Sequence, residues 1–91
     1  MLVLPETVTV REARDVLRML EQNVKRDSDP SLTIDASALR EFDTAALAVL
    51  LECSRQARAW GKGFVVRGAP EKLGELAGLY GVDKLLDIGR R

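Results

Sequence analysis

Glu41-Phe42-Asp43-Thr44-Ala45-Ala46-Leu47-Ala48-Val49-Leu50-Leu51 is the stretch on which the fold and function of this chain turn. Asp43 is suited to be a helix N-cap, because its carboxylate can accept from the unpaired amides of the first turn and meets the favourable end of the helix dipole. Thr44 then takes the first helical position with its hydroxyl pointing outward. At about 100° per residue, Ala46, Leu47, Val49, Leu50, Leu51, Cys53, Ala57 and Trp60 share one arc of a helix from Thr44 to Trp60, which is expected to face a core. Ala45, Ala48, Glu52, Arg55, Gln56 and Ala59 share the other. Near its start, the solvent side of this helix therefore carries methyl groups rather than long charged chains, a surface that a partner can approach closely.

Outward from this helix the chain alternates between strand and helix patterns. Thr9 and Glu12 have the spacing of a capping box, and Val10, Ala13, Val16, Leu17, Leu20 and Val24 follow as one apolar stripe, predicting a helix that ends near Lys25 or Arg26. Asp27-Ser28-Asp29-Pro30 is a polar turn. Leu2-Val3-Leu4, Ser31-Leu32-Thr33-Ile34-Asp35 and Gly63-Phe64-Val65-Val66-Arg67 have strand character. Pro70 suits a first helical position, Leu73, Leu76, Ala77 and Tyr80 keep helical spacing, and Gly81 offers a C-terminal cap. Leu85, Leu86 and Ile88 form a last apolar cluster of undecided type. The order strand, helix, strand, helix, strand, helix, tail predicts an α/β domain over residues 1–91 with a mainly parallel sheet and right-handed crossovers.

Composition closes many routes to chemistry. The 91 residues include fourteen basic and fourteen acidic side chains, so the net charge is zero and the electrostatic excess of most nucleic-acid binders is missing. Hydrophobic residues make up 46% and charged ones 31%, an ordinary balance for a folded, water-soluble domain. No apolar run reaches bilayer length, and Met1 to Pro5 is too short for a signal peptide's apolar region, so a cytoplasmic location is expected. There is no histidine, which removes His-based triads and zinc enzymes. Cys53, the only cysteine, cannot form an internal disulfide and falls on the apolar arc as a small core residue. Trp60 and Tyr80 fall in apolar registers and are expected in the core. Trp60-Gly61-Lys62-Gly63 lacks the spacing of a Walker loop and is taken as a helix C-cap and turn. Asp35 and Asp43 could be imagined as an acid and base pair, but nothing in the sequence supplies a pocket beside them. No cofactor or metal is expected.

Leu32-Thr33-Ile34-Asp35 followed by Phe42-Asp43-Thr44-Ala45-Ala46-Leu47-Ala48-Val49-Leu50-Leu51 resembles the signature of STAS domains, in which a strand ending in Asp leads to an Asp-Ser/Thr-x-Gly-Leu helix entry. Gly63 to Gly68 and Leu76-Ala77-Gly78-Leu79-Tyr80-Gly81-Val82 continue the likeness over nearly the whole chain. It implies a SpoIIAA-like fold with a sheet of about four strands, one fewer than usual because the N-terminal strand pair is short, and three to four helices.

Within the family the chain looks most like the MlaB-like cytoplasmic STAS subunit of Mla-type phospholipid ABC transporters. Thr44 stands where that subunit carries an important threonine, and Leu76 to Tyr80 resemble its Leu-Ala-x-Leu-Tyr ending. The resemblance implies a non-enzymatic subunit that binds and supports the ATPase subunit, peripheral to an inner-membrane complex without entering the membrane. Asp43, Thr44, Ala45 and Ala48 are the implied partner-binding residues. Anti-sigma-factor antagonists, the alternative within the family, are phosphorylated on a serine one residue further into the helix, where this chain has Ala45. Thr44 is then the residue left for phosphorylation, and a phosphate there would meet the favourable end of the helix dipole. The family's usual glycine is replaced by Ala46, consistent with an ordinary helix entry.

Overall fold

A computed structural model describes residues 2–26, 28–86 and 88. Strands β1 (Leu2–Val3), β2 (Thr7–Val8), β3 (Ser31–Asp35), β4 (Glu41–Phe42) and β5 (Gly63–Arg67) alternate with helices α1 (Ala13–Arg26), α2 (Thr44–Ala59), α3 (Glu71–Leu79) and α4 (Asp83–Leu86). Every strand pair is parallel. β3 is central in a three-stranded sheet of order β1-β3-β5, with Leu2 opposite Ile34 and Leu32 opposite Phe64. The Leu4 amide extends the β1 edge by donating to the Asp35 carbonyl at 2.9 Å. β2 and β4 form a separate pair, Val8 opposite Phe42.

The chain thus carries the parallel α/β architecture its pattern predicts, and one detail differs. Instead of a sheet short of a strand, there are five strands among the described residues, divided between two sheets. β2 and β4 are two residues each, too short to show any alternation, and the long-range pairing between them is invisible to a sequence window.

Period-two burial on β3 explains the layering. Leu32 and Ile34 are fully buried, whereas Thr33 and Asp35 are only partly covered. The apolar stripe of α1, Val16, Leu20 and Val24, meets Val49, Leu50 and Cys53 of α2 in one core cluster that Leu73, Ala77, Leu86 and Ile88 complete. The undecided C-terminal cluster begins as the short helix α4, with Leu86 and Ile88 buried and Leu85 half exposed. The polar turn after α1 begins at Asp27, which lies outside the described residues.

Three apolar residues expected in the core are on the surface: Val10 is 76% exposed, Trp60 55% and Tyr80 59%. Each lies just beyond a helix rather than within it. Thr9 and Glu12 do form a turn, with the Thr9 amide and hydroxyl both donating to Glu12 Oε1, but regular helix begins only at Ala13, so the helical register never governs Val10. Trp60 and Tyr80 are C-cap residues, each followed by a glycine at positive φ (Gly61, 71°; Gly81, 72°), where the chain turns away and the apolar arc ends. Pro70 sits one place earlier than expected, as N-cap of α3, its carbonyl accepting from Leu73 and Gly74.

Candidate functional site

The loop between β3 and β4 sets where α2 begins. Asp35 Oδ1 accepts from the Ser37 amide at 2.9 Å, and hydrogen bonding from Ser37 holds the Asp35 carboxyl below its ordinary value. Gly68, at φ 68°, lies under this loop so closely that a Cβ there would come within 2.9 Å of the Ser37 Cβ. Only glycine allows both the left-handed conformation and the approach. The loop then delivers Asp43 in an extended conformation to cap α2: Oδ1 accepts from the Ala45 amide at 2.8 Å. Its second oxygen accepts from the Val10 amide at 3.3 Å and so ties the entry of α2 to the turn before α1.

Both carboxylates of the imagined acid and base pair are therefore engaged with backbone amides. Asp43 holds structure together, and Thr44 follows it as the first residue of α2, exposed. Ala48, one turn on, is also exposed, and Ala45 between them is partly covered.

Beside Thr44 lies an apolar groove of about 250 Å³, lined by Thr44, Leu47, Ala48, Leu51, Tyr80 and Val82. It brings together the first two turns of α2 and the segment between α3 and α4. Of the four residues singled out from the sequence, Thr44 and Ala48 line it, while Asp43 and Ala45 lie outside its lining. Leu47 and Leu51 belong to the arc predicted to be core, and Leu51 is only partly buried because it forms a wall of this groove. Tyr80 and Val82 were not expected here. Their convergence on α2 follows from the turn at Gly81, where the amides of Gly81 and Val82 bond to Gly78 and Ala77 and fold the chain back. Apart from the Thr44 hydroxyl and the Tyr80 phenol, the lining residues offer only hydrocarbon, which suits burial of an apolar group rather than proton transfer.

The far half of α2 is chemically different. Arg55 forms an ion pair with Glu52, and Gln56 donates to Glu21 Oε2 of α1 at 2.6 Å. Cys53 is buried beneath them, as its place on the apolar arc predicts, and burial, with the nearby Glu21 and Glu52 charges, pushes its thiol up to about 12. Such a thiol is not a nucleophile at neutral pH. Among the described residues no group of His, Cys, Asp and Glu side chains could hold a metal ion, and no helix is long and apolar enough to cross a membrane.

A two-layer parallel α/β fold with a capped Asp-Thr helix entry is the form of a STAS domain. The chain belongs to that family: it matches the family described as "Mlab, STAS domain" over residues 1–87. A comparison with curated proteins gives no significant match.

Proposed function

We propose that this protein is the non-enzymatic STAS subunit of a Mla-type phospholipid-trafficking ABC transporter, and that it binds the ATPase subunit through the start of α2. The observation that carries this reading is the groove beside Thr44, apolar and open, at the helix entry by which the chain resembles that subunit. An apolar side chain of the ATPase would fill the groove, and the small outer residues Ala45 and Ala48 would let its backbone approach α2. Hydrolysis belongs to the partner in this scheme. The STAS subunit stays in the cytoplasm, held at the inner membrane only through the complex.

Replacing Thr44 by arginine tests it. Copurification with the ATPase subunit of such a transporter should be lost while the melting temperature is unchanged, and retention of binding would sink the proposal. A second reading, a phosphoswitch acting on an anti-sigma factor, draws on the exposed hydroxyl of Thr44 at the positive end of the α2 dipole. Mass spectrometry after incubation with a cognate kinase separates the two, since stoichiometric phosphate on Thr44 favours the switch.

A further inference from the structure

A chain of zero net charge nonetheless carries a one-signed stripe. Arg14, Arg18 and Lys25 are spaced by four and seven residues, which sets them within about 40° of one another around α1, and Arg11 stands in the turn that precedes it. All four are exposed. None forms an ion pair with another described residue, although Glu12, whose carboxyl is held below its ordinary value chiefly by hydrogen bonds from Thr9, also feels the charge of Arg11. On one side the stripe is bordered by the uncharged Gln22 and by Asp15.

The other side of the stripe faces α2. Glu21 is about 20° from Arg14 on the helix, and its carboxylate is the one that accepts from Gln56 of α2. At the opposite end, the bond from the Val10 amide to Asp43 brings the starts of α1 and α2 together, so Arg11 stands beside the end of α2 that carries Thr44 and Arg14 and Arg18 follow on the next turns of α1. The acidic residues in between are already engaged, Glu21 with Gln56 and Glu52 with Arg55. The outer surface therefore runs from an apolar groove, across Ala48 and Ala45, to a row of guanidinium groups that form no ion pair with another described residue.

We propose that Arg11, Arg14 and Arg18 are the electrostatic half of the docking surface, and that the partner is an acidic protein surface whose carboxylates flank the apolar side chain seated in the groove. This inference rests on the ATPase-binding reading above. The groove supplies the short-range contact that sets residence time. The arginines steer the encounter and fix its orientation, an effect that acts mainly on the association rate and fades with salt.

The test is the binding kinetics of the intact chain with the purified ATPase over a series of salt concentrations. Arg14→Glu with Arg18→Glu should lower the association rate about tenfold or more at low salt, leave the dissociation rate nearly unchanged, and converge on wild type as salt rises. Circular dichroism confirms that both exposed substitutions leave the fold intact. Wild-type rates and salt dependence in the double variant, with Thr44→Arg still abolishing binding, overturn the electrostatic assignment and spare the docking site. Failure of the wild-type protein to bind overturns both. Cosedimentation of wild type with vesicles containing phosphatidylglycerol, lost in the double variant, would overturn the choice of a protein partner in favour of a lipid surface.

Discussion

The two halves of α2 solve the same problem, an outer helix face in water, in opposite ways. From Glu52 onward the outer face is dominated by long side chains that bond to one another or across to α1, through Glu52 with Arg55 and Gln56 with Glu21. Before it they are Thr44, Ala45 and Ala48, which satisfy nothing and fill nothing, and a groove opens beside them. A face that closes on itself has little to offer a partner, because each new contact must first break one already made. A face of methyl groups beside a shallow apolar groove costs little to desolvate, and it is the half on which binding is proposed.

Moving one charge between the halves breaks the comparison most sharply. Ala48→Arg should weaken ATPase binding roughly a hundredfold or more by placing a cation at the groove, whereas Ala59→Arg, also exposed but at the other end, should bind as wild type in the same titration. Equal losses would show that the ends do not differ. Tyr80→Ala removes one wall of the groove without touching α2 and should cost about tenfold in affinity. Asp43→Ala acts on the scaffold instead, removing the cap and the tie to Val10, and should lower unfolding free energy by about 1 kcal/mol in a denaturant titration. Thr9→Ala sharpens the same distinction through pH. Hydrogen bonds from Thr9 lower the Glu12 carboxyl below its ordinary value, so they stabilise the fold above that value and the benefit disappears as pH falls through the lowered one. The variant should be less stable than wild type near neutrality, and the gap should close in acid. Smallest of all is Glu52→Ala, which removes a surface ion pair with the exposed Arg55 and should leave both melting temperature and affinity within error of wild type.

Most of the scaffold was legible in the sequence. The stripe of α1, the alternation of β3 and the Asp43 cap of α2 are local patterns, set by residues a few places apart, and each appears where the spacing puts it. The misplacements of Val10, Trp60 and Tyr80 share one cause. An apolar residue just outside a helix looks like a continuation of its stripe, and only the turn geometry shows that the register has ended. For Trp60 and Tyr80 the signal was present, since the glycine after each marks the cap. No comparable signal announced the pairing of β2 with β4, because two-residue strands so far apart along the chain leave no periodic trace.

The sequence by itself determined the α/β order, the core faces and the start of α2, because hydrophobic spacing and capping act over one or two turns of chain. Tertiary structure alone decided that Tyr80 and Val82 would stand beside Thr44 and Leu51, and that the turn before α1 would be tied to the same end of α2 through Val10 and Asp43. Those neighbours are far apart along the chain, and only the packing of α1 and α4 against α2, with the turn between α3 and α4 beside it, makes them one surface.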